Sequence, residues 1–188
     1  MSRDSIVIQP SMTVGYKGFF ANLWGNLDTD PYVAAGNSPS NWNETDLTLS
    51  YSRGFGPLNI SGGYIYYGLD GADDSQEIFL GLGINTLLSP SLTVYKEINS
   101  YMHWYVLLGI SHSFKITKAV SLDLAASASY LKSEDADDYP EINDQGAATG
   151  DKFNNFHDGV ISVNISPFRV FPTQLFSFQS PEIFRPQV

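Results

Sequence analysis

The chain has 188 residues, no cysteine and a formal net charge of −10. That length suits one domain with a sizeable core, and the missing thiols exclude disulfides, zinc thiolates and thiol catalysis. The acidic balance leaves out the basic footprint of a nucleic-acid binder, and no apolar run is long enough for a transmembrane helix.

Aromatics make up 14% of the chain, a mix that favours strands over helices. Met1 to Ser5 shows none of the charged and apolar regions of a secretory signal peptide. Ile6 to Tyr16 reads as a strand, with Ile6, Ile8, Met12, Val14 and Tyr16 opposite Gln9, Ser11, Thr13 and Gly15. Pro10 interrupts it, as at an edge or a bulge. Lys17-Gly18 makes a two-residue hairpin turn, and Phe19 to Asp28 returns with Asn22, Trp24 and Asn26 on one face. A polar loop, Thr29 to Glu44, leads to strands at Thr45 to Phe55 and Leu58 to Leu69, joined at Gly56-Pro57. The second of these carries Tyr64 and Tyr66, and its Gly62 and Gly63 signal curvature or crowding.

The middle of the chain has the clearest alternation. Ile78, Leu80, Leu82 and Ile84 alternate with Glu77, Phe79, Gly81, Gly83 and Asn85. A strand at Ser91 to Ile98 follows. Then Trp104, Val106, Leu108, Ile110 and Phe114 alternate with Tyr105, Leu107, Gly109, Ser111 and Ser113, His112 falling on the apolar side. Val120, Leu122, Leu124, Ala126, Ala128 and Tyr130 alternate with Ser121, Asp123, Ala125, Ser127 and Ser129. Side chains of a strand point alternately to opposite faces, so each segment has an apolar face and a small or polar one. Lys132 to Lys152 is a long acidic loop, and Phe153 to Ser166 a ninth, weaker strand.

Short connections are expected after strands one, three, five and seven, and longer ones between. Lysines sit at the short turns and carboxylates in the long loops. Segments of about ten residues, apolar on one face and ended by aromatics, form the pattern of a transmembrane β-barrel with aromatic girdles. The expectation is an all-β, antiparallel up-and-down transmembrane barrel of about 9–10 strands over residues 1–166, with a Pro/Phe-rich tail at 167–188. Gln174 to Gln179 could add a strand. Trp104, Phe114, Tyr130, Tyr64 and Tyr66 are the expected membrane-interface aromatics. A soluble barrel of lipocalin type, with apolar faces turned inward around a small apolar ligand, is the first alternative; a membrane-embedded enzyme is the second. Leu80, Leu108 and Leu124 packed together at the centre, with Ser111 and Asp123 outside, would contradict the membrane reading.

The strand texts resemble a group of Gram-negative outer-membrane barrels, the TorF-like porins. The resemblance rests on Val7 to Phe19, Asn22 to Asp28, Glu44 to Tyr51, Gly63 to Tyr67, Pro90 to Tyr95 and Trp104 to Phe114. It covers residues 6 to about 165. It implies a barrel of ten to twelve strands in the bacterial outer membrane, a porin-like transport role and no catalytic residues. Members carry a signal peptide and a strand ahead of the segment matching Ile6, and end on a strand with a terminal aromatic. The chain is therefore expected to be a truncated or frame-disrupted form of a longer barrel.

Lumen-facing candidates follow from the alternation: Glu77, Glu97, Asp123, Asn22, Asn26 and Asn85. In a wet lumen the three carboxylates favour cations or neutral polar solutes; the competing reading has Lys96 or Arg53 satisfying them inside a plugged barrel. The acidic loop at Glu134 to Asp144 lacks EF-hand spacing and reads as solvated. His157-Asp158 invites a hydrolase reading, but neighbours in a strand face opposite ways. His103 is expected at a membrane interface with Tyr101, Trp104 and Tyr105. No metal site, cofactor or catalytic group is assigned. The partners expected are outer-membrane lipid and small polar solutes, not nucleic acid.

Overall fold

A computed structural model of the chain describes residues 6–29 and 41–167. The expected extra strand at Gln174 to Gln179 lies outside the described residues. Twelve strands form: β1 (Val7–Ile8), β2 (Ser11–Tyr16), β3 (Phe19–Asp28), β4 (Trp42–Phe55), β5 (Leu58–Leu69), β6 (Ser75–Ile84), β7 (Ser91–Glu97), β8 (His103–Lys115), β9 (Val120–Ser133), β10 (Pro140–Ile142), β11 (Ala148–Lys152) and β12 (Asn154–Pro167). All but β10 and β11 join one antiparallel sheet in chain order, β1 and β2 both pairing with β3 at one edge and β12 lying at the other. The sheet is up-and-down throughout. Its two edges do not pair with each other among the described residues, so the sheet is open.

Pro10 splits the first strand without shifting it. Ile8 pairs with Leu27 and Ser11 with Trp24, the same register on both sides, so there is no bulge. The Gly25 N–H donates to the Pro10 carbonyl at 3.1 Å. Pro10 has no N–H to return, and the pair is one bond short. The edge placement is observed; the bulge alternative is not.

The turn at Lys17 and Gly18 has φ of 50° and 90°, the left-handed pair of a type I′ hairpin. Strict alternation of short and long connections does not hold. Residues 85–90 join β6 to β7, one residue more than 70–74 or 98–102 on the opposite side. The loop at 132–152 holds a hairpin of its own, β10 with β11, which the sequence pattern did not announce. The ninth strand is not weak: β12 registers with β9 from Asn154 to Pro167, with one shift between Phe156 and Gly159.

The two faces of the sheet differ as the alternation requires. One, here the outer face, presents Ile78, Leu80, Leu82 and Ile84 of β6 to the surroundings, Leu80 at 56% exposure. Leu108 on β8 is 55% exposed, and Leu124 is half-buried on the same face. These leucines do not form a central core. The buried apolar set (Ile65, Tyr67, Phe79, Tyr95, Tyr105 and Leu131) lies on the inner face. Phe79, Tyr95, Tyr105 and Leu131 are consecutive cross-strand partners, forming one row across β6, β7, β8 and β9. Tyr139 and Phe153, which flank the β10–β11 hairpin of the long loop, pack against this row and help to bury it. Gly63 makes the row possible: a Cβ there would lie 2.4 Å from the Leu49 carbonyl and 2.6 Å from the Phe79 ring. Of the two readings of that glycine, crowding is the one the geometry supports.

Candidate functional site

Strand alternation delivers polar side chains to the inner face, and the two ends of that face use them differently. At the end of the longer loops, β6 begins with Ser75 and Glu77, β7 ends with Glu97, and β8 begins with His103. Glu77 and Glu97 are direct cross-strand partners, both 0% exposed, and His103 is 2% exposed. Like charges directly opposed across a ladder destabilise it unless each is satisfied otherwise. The Tyr67 hydroxyl donates to Glu77 Oε2 at 2.8 Å, and His103 Nε2 faces Glu77 Oε1 at 3.5 Å. Glu97 takes the Ser75 hydroxyl on Oε2 at 2.5 Å. Its Oε1 accepts the backbone N–H of Gln76, Asn99 and Ser100 at 3.1, 2.9 and 3.1 Å. Glu97 thus caps the 98–102 connection, taking the N–H groups of Asn99 and Ser100.

Neither Lys96 nor Arg53 serves these carboxylates. Lys96 lies over the Trp104 ring and pairs with Glu134 at 2.7 Å, while Arg53 lies over Phe55. The interface placement expected for His103 is also overturned. Counting the alternation of β8 back from Tyr105 puts position 103 on the inner face, where it packs edge-on to Tyr139 at 5.2 Å. The cluster was half visible in the sequence. Glu77 and Glu97 stand out, but Tyr67, Ser75 and His103 announce themselves only once strand ends and registers are known.

Asp123 does not join this cluster. It sits near the short-turn end, opposite Ser113 on β8 and Asn164 on β12. Ser113 donates to its Oδ1 at 2.5 Å and Ser121 to Oδ2 at 3.4 Å. Around it the inner side chains are small, and a hollow of about 300 Å³ opens, lined by Ser89, Ser111, His112, Ser113, Asp123, Leu124, Ala125, Ser162 and Asn164. Asn22 is on the inner face near the opposite edge, its amide donating to Ser11 and Thr13 at 2.9 and 2.8 Å. Asn26 bridges β3 to Asn43 at 2.7 Å. Asn85 falls one residue beyond β6, in the 85–90 connection rather than on a strand wall, and its N–H donates to Pro57 at 2.7 Å.

The aromatics expected at the interfaces lie on the outer face. Trp104 and Tyr130 are exposed near the long-loop end, with Trp104 Nε1 donating to Glu134 and Tyr130 to Asn154. Phe114 is exposed at the other end, where Phe19 and Tyr51 stack at 4.7 Å. Tyr64 and Tyr66 are half-buried, donating to Gln76 and Asp74.

Outside the strands, the Tyr66 hydroxyl and then the Leu69 N–H hold the Asp74 carboxyl below its usual range. Hydrogen bonds from Lys96 and Trp104 do the same for Glu134. Burial, then the charge of Asp135, pushes Asp138 up. Among the described residues no group of three or more metal-ligating side chains gathers.

The objection to a His157-Asp158 pair fails on geometry. The register shift between Phe156 and Gly159 breaks the alternation, so His157 packs on Tyr105 at 5.8 Å while the Ser129 hydroxyl donates to Asp158. Ser129 is buried and bonded to the carboxylate itself, and among the described residues no hydrogen bond joins it to His157. No protein-family model, curated protein or solved structure matches the chain.

Proposed function

We propose that this chain forms most of the wall of a β-barrel in the outer membrane of a Gram-negative bacterium. We read the barrel as a passive, porin-like channel for small polar solutes, without catalysis. One observation carries the reading. Along β6 the side chains that meet the surroundings are Ile78, Leu80, Leu82 and Ile84, whereas the buried ones are Ser75, Glu77, Phe79 and Gly81. In water that arrangement exposes a broad apolar surface and buries carboxylates, both at a cost. With acyl chains outside, it becomes favourable, and the aromatics at both ends of the outer face sit where interfacial rings are found.

A soluble ligand-binding barrel asks for an apolar interior. The serines, asparagines and carboxylates of this inner face support the membrane reading instead. Closure around that face completes the wall. The strand line of β1 and β2 runs in the same direction as β12, because eight antiparallel steps separate them. An all-antiparallel barrel therefore calls for an odd number of further strands between those edges.

Detergent dependence tests the reading. The full chain is expected to stay monodisperse only in detergent, to insert into lipid vesicles and to give step-like conductance in planar bilayers. A monodisperse protein in detergent-free buffer that leaves vesicles untouched overturns it.

A further inference from the structure

We propose, resting on the channel reading above, that the solutes accepted by this inner face are cations, and that Asp123 is the residue that selects them. The strands sort charge by face. Glu44, Asp46, Glu77, Glu97, Asp123 and Asp158 belong to the inner face by register or by their contacts with inner residues. The inner-face bases among the described residues are His103 and Lys115, with His157 joining them through its contact with Tyr105, so carboxylates outnumber bases by six to three. The other basic side chains of the strands lie outward, as Lys96 does over Trp104 and Arg53 over Phe55. A wall with an excess of one sign, backed by low-dielectric protein and lipid, focuses its potential into the enclosed space.

A second observation is that two carboxylate oxygens of this set find no hydrogen-bond donor among the described residues. Asp46 Oδ1 and Glu77 Oε1 are buried oxygens without a hydrogen-bond donor. Among the described residues Glu77 has a single ion-pair partner, His103, at 3.5 Å. An anion approaching this face is repelled by the excess of carboxylates over bases, whereas a cation relieves it.

Asp123 is where a passing ion meets that field. The tyrosine row fills the inner face toward the long loops, and the roomy section is the hollow beside β8, β9 and β12. Asp123 is the carboxylate in its lining. Its hydrogen-bond donors are the hydroxyls of Ser113, Ser121 and Ser166, which orient a carboxylate without cancelling its charge. Lys115, the next inner position along β8, is exposed at the turn. Rings of Asp or Glu in such positions are what cation channels use.

Two measurements test the proposal. The natural chain has no cysteine, so Ser111→Cys places one thiol on the lining of the hollow, two residues from Ser113 on the same face. Its rates with a trimethylammonium and a sulfonate methanethiosulfonate of similar size are compared in detergent and normalised to a free thiol. The cationic reagent is expected to lead by roughly tenfold, the low end of electrostatic focusing. Asp123→Asn in the same background is expected to remove most of that lead. Equal rates, or a faster anionic reagent, overturn the proposal; a lead that survives Asp123→Asn overturns the role of Asp123. The second measurement is the reversal potential of the native chain in a planar bilayer under a KCl gradient, expected to lie toward the potassium equilibrium potential. A conducting protein with zero or anionic selectivity overturns the proposal. A chain that never conducts but keeps the cationic thiol lead overturns the channel reading while leaving the cationic preference of the face intact.

Discussion

The same strands end in two different interiors. Toward the long loops the inner face is built of large side chains: Phe79, Tyr95, Tyr105 and Leu131 fill a row, and Glu77, Glu97 and His103 are sealed beyond it. Toward the short turns the same strands carry Gly83, Ser91, Gly109, Ser111 and Ser113, and a hollow remains. Backbone pairing is continuous through both ends. Side-chain volume therefore decides where this wall is filled and where it is open. Charge follows volume. Carboxylates in the filled end must be satisfied by protein donors, because water is excluded there. Asp123 in the open end is held by serine hydroxyls and stays partly exposed.

The largest break in this comparison is expected from matched truncations. Glu97→Ala strips three backbone N–H groups and the Ser75 hydroxyl of their acceptor in a buried place. It is expected to cost about 3 kcal/mol or more. Asp123→Ala, whose partners can turn to water, is expected to cost less than about 1 kcal/mol. Urea unfolding of both variants in one detergent checks this; similar losses would erase the distinction between the ends.

Gly63→Val sharpens the same point through packing. Its branched side chain must displace the Phe79 ring or the β4 backbone, at an expected cost of about 1–3 kcal/mol. Gly83→Val, at a glycine whose Cβ would meet nothing within 4 Å, is expected to change stability by under about 0.5 kcal/mol. Thermal melts of the pair decide whether crowding is confined to the filled end.

The smallest expected effect is acid sensitivity at the rim of that end. The Asp74 carboxyl is held below its ordinary value by the Tyr66 hydroxyl. A lowered folded-state value gives stability that is present above the unfolded value near 3.8 and is lost as pH falls through the folded one. Asp74→Asn should therefore lower the melting temperature slightly in the neutral range, flatten its fall in acid, and converge on the native chain well below about pH 4. The exposed position keeps the change small. An acid limb identical in the variant would remove Asp74 from the account.

Much of the fold could be read from periodicity. Ile78, Leu80, Leu82 and Ile84 named their face, and Lys17-Gly18 named its turn, because a period of two and a left-handed dipeptide are local properties. The candidate site was read less well. The aromatic neighbours of His103 point to an interface, and it lies instead against a carboxylate two strands away in the sheet. His157 and Asp158 were set on opposite faces by a rule that a bulge suspends. Asp123 was grouped with Glu77 and Glu97 through strand adjacency, but strands that neighbour one another can carry their charges at opposite ends.

The sequence by itself determined that the chain is antiparallel β, which residues share a face, and that one face is apolar and the other polar and acidic. Each of these follows from alternation along a single strand. Only the tertiary structure decided which face is buried, how Glu97 and Glu77 find their donors, and where the inner face is filled or hollow. Those depend on register and on the curl of the whole sheet, which arise from pairings between segments far apart in the chain.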